Sequence, residues 1–175
     1  MNSFYKDKVI IVTGASSGIG LASATRFASL GAKIVLAARS IDKLEKIAEE
    51  INEKFNKSTD NVLCVKTDVT KEEDCKNLIE QTVKHFGKID VLVNNAGISM
   101  RAVFKDMDLN VMRSLMDTNF WGTVYCTKYA LPYLLESKGS VVGVISTAGY
   151  VGLPARTAYS ASKFAVRGFL ETLRI

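Results

Sequence analysis

The sequence predicts an α/β fold, a Rossmann-like doubly wound parallel sheet of about five strands with helices on both faces. Short runs rich in Val, Ile and Leu alternate with longer segments of helical periodicity, and a glycine-rich loop joins the first run to the first helical segment. Near-continuous apolar runs are typical of parallel strands that are buried on both faces. The length of 175 residues suits a single domain, residues 1–175.

Five predicted strands follow these apolar runs. They are Lys8–Thr13, Lys33–Ala38, Val62–Lys66, Val91–Val93 and Ser140–Ile145. Because each strand is followed by a helical segment, we expect right-handed crossover connections and parallel pairing.

The helical segments have recognisable start and stop signals. Gly31 is expected to end the first helix, Ser40 or Asp42 to begin the second, and Thr70 with Glu73 to form a capping box for the third. The predicted helices are Gly18–Leu30, Ser40–Phe55, Lys71–Phe86, Asn110–Glu136 and a fifth from about Ala158 to the end of the chain.

The composition is that of an ordinary globular domain, with 47% hydrophobic and 23% charged residues, so disorder is not expected. The net charge of +5 does not indicate a nucleic-acid partner, because lysines are interleaved with acids, as in 43–50 and 71–74. No apolar run reaches the roughly 20 residues that a membrane span needs. Residues 1–7 lack the layout of a signal peptide. We therefore expect a cytoplasmic protein without a membrane span.

No metal site is expected. His85 is the only histidine and is interpreted as a surface cation near a helix end, and the cysteines contain no CxxC pair. Cys64, Cys75 and Cys126 are odd in number and scattered, so we expect reduced thiols rather than a disulfide framework.

The loop after the first strand predicts a site for a dinucleotide. Glycines there allow a tight turn and a close approach of the backbone to a pyrophosphate, which the N-terminus of the following helix attracts. The glycines alone are only moderately specific, and the strand before and the helix after them strengthen the prediction. The candidate residues are Gly14, Ser16, Ser17, Gly18, Ile19 and Gly20.

The end of the second strand indicates which dinucleotide is bound. An acidic residue there would accept a hydrogen bond from a ribose 2′-hydroxyl, whereas an arginine suits a 2′-phosphate. The strand ends in Ala38-Arg39-Ser40, without an acid. Arg39 therefore favours NADP(H), with NAD(H) as the alternative, although a solvated surface cation would look the same in the sequence.

Tyr159 and Lys163 are spaced to lie on one face of a helix. A phenol with a pKa near 10 is a poor proton shuttle at neutral pH, and a neighbouring cation stabilises its charged form. Taken alone, the pair also fits a packed tyrosine beside a surface lysine.

Further motifs follow in order along the chain. They are Asp68-Val69-Thr70 after the third strand, Asn94-Asn95-Ala96-Gly97 after the fourth, Thr118-Asn119-Phe120 in the fourth helix, and Ser146. With the glycine loop, Tyr159 and Lys163, the sequence resembles the short-chain dehydrogenase/reductase family over essentially its whole length.

The resemblance implies four catalytic residues. Tyr159 would exchange a proton with the substrate oxygen, Ser146 would hydrogen-bond that oxygen, and Lys163 would also hold the cofactor ribose. Asn119 would position a water molecule in the proton relay. Each residue also has a purely structural interpretation: Ser146 could end its strand, and Asn119 could bond to backbone.

The resemblance also implies cofactor contacts outside the glycine loop. Asp68 would contact the adenine. The remaining candidates are Val69, Asn95, Ala96, Gly97, Tyr159 and Lys163.

Some features depart from the family pattern. Thr118, Gly143 and Ile145 stand where the family usually has other residues. Family members also continue beyond the position of Ile175, with two further strands, a nicotinamide contact and much of the substrate loop. We therefore expect the chain to lack these parts, and Ser140–Ile145 to be an exposed edge strand.

The substrate is expected to be a small carbonyl or alcohol. Residues 97–101 and 150–154 should border its pocket, and Met100, Val151 and Leu153 suggest a lipophilic ligand. The resemblance is greatest to family branches that act on hydroxysteroids, retinoids and similar carbonyls, although such loops vary freely on one fold.

Two other classes of function remain open. One is a nucleotide-binding module without turnover. The other is a structural protein that assembles through the fourth and fifth helices, for which Val111, Leu115, Tyr129 and Leu134 could form an apolar face, although core burial explains them equally well. A homodimer or homotetramer is expected from the resemblance.

Overall fold

The computed structural model describes residues 4–55 and 59–174. Within them, five parallel strands form one sheet in the order β3-β2-β1-β4-β5. The strands are β1 (Val9–Thr13), β2 (Lys33–Ala38), β3 (Val62–Lys66), β4 (Val91–Asn94) and β5 (Ser140–Gly143). The predicted fold class is confirmed.

Helices connect the strands and cover both faces of the sheet. They are α1 (Gly18–Ser29), α2 (Ile41–Phe55), α3 (Glu72–Phe86), α4 (Leu109–Leu115), α5 (Gly122–Ser137) and α6 (Thr157–Leu173). The predicted helix 110–136 is helical throughout, but residues Met116–Trp121 between α4 and α5 are a π-helix. Short 3-10 turns lie at Thr59–Asn61, Phe104–Asp106 and Thr147–Gly149.

The strand order determines where a ligand can bind. The chain runs outward from β1 to β2 and β3, then returns to add β4 and β5 on the other side of β1. Connections therefore leave β1 and β4 in opposite directions, which opens a crevice beyond their carboxyl ends.

The core has two layers, one on each face of the sheet. All of β1 is buried, as expected for a central parallel strand. One layer contains Ile10, Val12, Ile34 and Leu36 against Ala24, Ala28, Leu44 and Ile51. The other contains Val9, Ile11, Val35 and Leu92 against Leu78, Ile79, Cys126 and Ala130.

The helix-capping predictions had mixed outcomes. Gly31 follows α1 with φ of +91°, as predicted for a helix C-terminus. At α2, Leu44 N–H donates to the Ser40 carbonyl at 3.3 Å, which favours Ser40 over Asp42 as the first residue.

The capping box predicted for α3 is wrong. The helix begins after Lys71, which provides no side-chain cap. The Thr70 hydroxyl donates instead to Asp68 Oδ1 at 2.8 Å. Asp68 Oδ1 also accepts from the Thr70 N–H at 3.1 Å, so Thr70 belongs to a local turn that ends before the helix starts.

β5 is shorter than predicted and lies at the edge of the sheet. In the described part of the chain it pairs with β4 alone, and Val142 is 44% exposed. After Gly143 the chain turns, with Val144 N–H donating to the Asn94 carbonyl at 2.9 Å. The exposed edge strand is confirmed over Ser140–Gly143.

Cys64, Cys75 and Cys126 are free thiols. Burial, with a smaller effect of Glu45, raises the pKa of Cys64 to about 11, so this thiol is protonated at neutral pH. None of the helices in residues 4–55 and 59–174 has the length and apolar character required to cross a membrane.

Candidate active site

A cleft of about 990 Å³ lies beyond the carboxyl ends of the strands, at the switch between β1 and β4. This is the size and position expected of a small-molecule site on such a sheet. Most of the predicted site residues border it: Gly14, Ser16, Ser17, Ile19, Arg39, Asp68, Val69, Asn95, Ala96, Gly97, Ser146, Tyr159 and Lys163. Gly18, Gly20 and Asn119 are not among the lining residues.

The glycine loop packs closely against the residues that follow β4. Gly14 has a φ of +65°, and a Cβ added there would lie 2.9 Å from Ala96 Cα. A Cβ at Gly20 would lie 2.3 Å from the Gly14 carbonyl oxygen and 2.5 Å from Asn95 Nδ2. Gly20 therefore acts through close packing behind the loop, and larger residues do not fit there.

Asn95 and Ala96 hold the loop as well as bordering the cleft. Their N–H groups both donate to Thr13 Oγ1 at 3.0 Å. Asn95 Nδ2 also donates to the carbonyl oxygens of Thr13 and Gly14, at 2.9 and 3.3 Å. Sequence reasoning missed Thr13 as a site residue, since its position at the end of β1 gave no sign of partners after β4.

Asn94, the last residue of β4, holds the start of the segment after β4 through a contact with α5. It is buried, and its Nδ2 donates to Thr127 Oγ1 of α5 at 3.0 Å. Thr127 was also missed, because a threonine inside a predicted helix carries no signal of this contact.

Asn119 lies in the π-helix and is 1% exposed. Its Oδ1 accepts from Ile98 N–H at 2.8 Å, while its Nδ2 donates to the Ile98 carbonyl at 3.1 Å and to Ser162 Oγ at 2.9 Å. The Ser162 hydroxyl in turn donates to the Tyr159 carbonyl at 2.8 Å. Asn119 thus joins the segment after β4 to the helix that carries Tyr159, and π-helical turns are frequent at such sites.

Tyr159 and Lys163 lie on the face of α6 that borders the cleft. Lys163 is 6% exposed; its Nζ donates to the Val144 carbonyl at 2.9 Å and lies 5.9 Å from the centroid of the Tyr159 ring. Burial lowers the pKa of Lys163. The predicted side-by-side placement is confirmed, and the lysine is packed inside rather than on the surface.

Ser146 follows β5 and borders the same cleft as Tyr159 and Lys163. Its hydroxyl oxygen accepts from Ala148 N–H at 3.2 Å and caps the 3-10 turn Thr147–Gly149. The hydroxyl proton is not used in that contact, so the side chain can donate to a ligand.

The far end of the cleft is lined by two cations. Arg39 is exposed at the end of β2, and Lys43, in the first turn of α2, borders the same space with Ser40. Lys43 was missed, because the sequence does not show that the first turn of α2 borders the cleft. Across from them, Asp68 Oδ1 accepts from the N–H and hydroxyl of Thr70 at 3.1 and 2.8 Å.

The apolar face considered for assembly is not a single exposed surface. Leu115 and Leu134 are buried within the chain, whereas Val111 is 38% exposed. The Tyr129 hydroxyl donates to Glu72 of α3 at 2.7 Å, and this hydrogen bond raises the pKa of Tyr129 to about 12. Core packing therefore explains Leu115 and Leu134, two of the four residues considered for assembly.

The sequence of this chain is similar to those of known dehydrogenases. The family model described as short chain dehydrogenase matches residues 8–175. A protein of Arabidopsis thaliana named 11-beta-hydroxysteroid dehydrogenase 1A is 43% identical over 169 residues, which cover 96% of this chain and 48% of that protein. A Dictyostelium discoideum protein named dehydrogenase/reductase SDR family protein 7-like is 41% identical, covering 98% of this chain and 55% of that protein. The chain spans about half the length of the curated relatives it matches.

Solved structures share the fold closely. An alcohol dehydrogenase from Thermococcus sibiricus, complexed with 5-hydroxy-NADP, has a TM-score of 0.92 and 30% identity, covering 97% of this chain and 71% of that one. A short-chain dehydrogenase/reductase from Burkholderia phymatum, in complex with NAD, has a TM-score of 0.90 and 30% identity, with 97% and 59% covered. Since the family model spans nearly the whole sequence, this chain belongs to the short-chain dehydrogenase/reductase family of oxidoreductases.

Proposed function

We propose that this chain is the cofactor-binding and catalytic part of an enzyme that transfers a hydride between NADP(H) and a carbonyl or alcohol, with Tyr159 as the general acid and base. One observation carries the proposal. A single cleft is bordered at one end by the glycine loop and Arg39, and at the other by Ser146, Tyr159 and Lys163. A dinucleotide in it would extend from the cations toward the hydroxyl groups.

The residues present fit a nicotinamide dinucleotide. Ser17 provides no side-chain cap at the start of α1, so the first backbone N–H groups of that helix are available for a pyrophosphate, and Ser16, Ser17 and Ile19 border the cleft there. The two solved relatives named above carry an NADP derivative and NAD, which supports the same cofactor class here.

The preference for NADP(H) is supported by charge. Arg39 and Lys43 both border the end of the cleft nearest β2. A 2′-phosphate would accept charge-assisted hydrogen bonds from the guanidinium and ammonium groups there. The neutral 2′-hydroxyl of NAD(H) would form weaker hydrogen bonds with the same two cations.

The cofactor, when bound, would supply or accept the hydride. During reduction the Tyr159 hydroxyl would donate its proton to the substrate oxygen, and during oxidation it would take the proton back. The Ser146 hydroxyl would donate a hydrogen bond to the same oxygen. The Lys163 ammonium, 5.9 Å from the Tyr159 ring, would stabilise the phenolate that remains after proton donation.

Asn119 would serve mainly by fixing Ile98 and Ser162 around these groups. Both amide protons are used in those contacts, so only the second lone pair of Oδ1 is left to accept from a water molecule. A role in ordering that water stays a prediction.

The substrate we propose is lipophilic. Tyr150, Val151 and Leu153 expose apolar surface in the loop before α6, and Ile98 does so after β4. Relatives bear the name hydroxysteroid dehydrogenase, in agreement with a large apolar carbonyl compound. We also propose a homodimer or homotetramer, as inferred from the family resemblance.

Titration of the purified chain with NADPH and NADH tests the proposal, with thermal unfolding and cofactor fluorescence as readouts. NADPH at 100 times its Kd should stabilise the chain by about 2.7 kcal/mol. Binding should be saturable and tighter for NADPH, and a panel of aliphatic, aromatic and steroid ketones should then reveal turnover. Binding without turnover of any ketone would indicate a nucleotide-binding module. A folded chain that binds neither cofactor would overturn the proposal.

A further inference from the structure

Arg156 immediately precedes α6 and reaches between two parts of the cleft. Its Nη1 donates to the hydroxyl of Ser99, which borders the cleft in the segment after β4. Its guanidinium carbon also lies 5.9 Å from the centroid of the Tyr159 ring. One side chain therefore contacts both the segment after β4 and the tyrosine that carries the proposed proton transfer.

The backbone of Arg156 is held on both sides. Its N–H donates to the Leu153 carbonyl at 3.1 Å, and its carbonyl accepts from Ser160 N–H at 2.7 Å. The preceding residue, Ala155, has a φ of +58° and accepts from Ala102 N–H at 3.0 Å. The guanidinium is thus presented from a fixed position, which lowers the entropic cost of its contact with Ser99.

The segment 98–102, which has no regular secondary structure, depends on such contacts. Asn119 holds one end through Ile98, and Ala155 holds the other through Ala102. Arg156 is the side chain that holds Ser99 between them.

The charge of Arg156 supports this assignment. Among residues 4–55 and 59–174, no acidic side chain forms an ion pair with it, so its guanidinium is available to Ser99. Arg167, within α6, has different partners. It pairs with Glu171 at 2.7 Å and lies 4.2 Å from the centroid of the Tyr150 ring.

We infer that Arg156 is a positioning residue that fixes Ser99 and the segment 98–102 against α6, and so shapes the substrate end of the cleft. The inference rests on the proposed function. The backbone carbonyl of Tyr159 is held separately by the Ser162 hydroxyl, and the glycine loop and Arg39 lie on other elements. Loss of Arg156 should therefore weaken substrate binding more than the chemical step or cofactor binding.

The test compares Arg156→Gln and Ser99→Ala, which remove the contact from either side, with Arg167→Gln as the matched control. Amide hydrogen exchange of residues 98–102 is measured in the NADPH-bound chain, together with Tm and the NADPH Kd. Steady-state reduction of cyclohexanone, a lipophilic probe carbonyl, gives kcat and KM.

Arg156→Gln and Ser99→Ala should each speed exchange of Ser99–Ala102 by about tenfold, as one lost hydrogen bond to a charged group implies. They should raise the KM for cyclohexanone by about tenfold, with kcat changed less than about threefold and the NADPH Kd unchanged. Arg167→Gln removes a cation from α6 without touching Ser99, and it should alter neither the exchange of residues 98–102 nor the NADPH Kd.

Unchanged exchange of residues 98–102 in both test variants, or an equally large change of that exchange in Arg167→Gln, would overturn the inference. So would a proportional loss of Tm and kcat with unaltered KM, which would indicate a purely structural role. Absence of turnover in the wild-type chain would instead overturn the proposed function and the substrate half of this inference, while the exchange comparison still decides the contact itself.

Discussion

In the proposed reaction the Tyr159 hydroxyl donates and accepts the proton, so removal of this hydroxyl tests the proposed chemistry. Tyr159→Phe keeps the ring beside Lys163 but deletes the proton donor. We expect turnover to fall by at least about 100-fold, the contribution typical of a general acid. The NADPH Kd should stay nearly constant, because the lysine and glycine loop are untouched. Steady-state kinetics and fluorescence titration measure the two values, and a variant with most of its rate would exclude the proton role.

Arg39 tests the cofactor preference at the same scale. Arg39→Asp replaces a cation beside the cleft with an acid that suits a ribose 2′-hydroxyl. We expect the NADPH Kd to rise by about 10- to 100-fold, as for the loss of one charge-assisted hydrogen bond, while NADH binding changes much less. Lys46→Asp, an exposed change of the same charge in α2, is the control. Equal losses for both cofactors would remove Arg39 from the 2′-phosphate.

At the scale of elements, the glycine loop and the segment after β4 form one packed unit. A Cβ at Gly20 would lie 2.3 Å from the Gly14 carbonyl oxygen, so Gly20→Ala must displace the loop. We expect a loss of about 1–3 kcal/mol in stability, as for other overpacked sites, and weaker binding of NADPH. Thermal unfolding and cofactor titration measure both.

Gly168→Ala provides the matched comparison for that prediction. A Cβ at Gly168 would meet no atom within 4 Å, and the residue is exposed in α6. Because alanine is a better helix former than glycine, this variant should gain up to about 1 kcal/mol. If Gly20→Ala were equally stable and bound NADPH normally, close packing of the loop would not matter for the site.

The π-helix shows what periodicity cannot reveal. Residues 110–136 have a continuous helical pattern, and the prediction of one helix was correct in extent. The widened turn at Met116–Trp121 accompanies the contacts of Asn119 with Ile98 and Ser162, which belong to other parts of the chain. Helical periodicity does not depend on contacts with distant residues, so the π-helix was not predicted from it.

At the scale of the whole molecule, Asp90 joins the start of β1 to the start of β4. It is 4% exposed, forms ion pairs with Lys8 and Lys88 at 2.9 Å each, and accepts from Val9 N–H at 2.9 Å. Burial by itself would raise the pKa of Asp90, but the hydrogen bonds from Lys8, Val9 and Lys88 outweigh it and hold that pKa below the usual value of 3.8.

Asp90→Asn should therefore destabilise the fold by about 2 kcal/mol at neutral pH, through loss of hydrogen bonds to a charged group. Because the pKa is depressed in the folded state, the carboxylate stabilises the chain above pH 3.8, and this contribution is lost as the pH falls through the folded-state pKa. Denaturant unfolding at several pH values should show the difference from wild type narrowing only in acid. Glu80→Gln, exposed on α3, should show no such difference.

The sequence by itself determined the fold class, the alternation of strands and helices, the glycine loop and the placement of Tyr159 and Lys163 on one helix face, whereas Ser146 beside them was implied by the family resemblance. These features depend on local signals: apolar runs, helical spacing and a loop between a strand and a helix. The start of α3 was predicted wrongly, because the capping box of Thr70 and Glu73 does not form.

Only the tertiary structure decided which side chains hold the site together. Thr13 contacts Asn95 across 82 positions of the chain, and Arg156 contacts Ser99 across 57. Lys43 borders the cleft because β2 ends beside the cleft and α2 begins there. A hydrogen bond forms wherever folding brings a donor close to an acceptor. Because the two residues can be far apart in the sequence, no local sequence pattern predicts their contact.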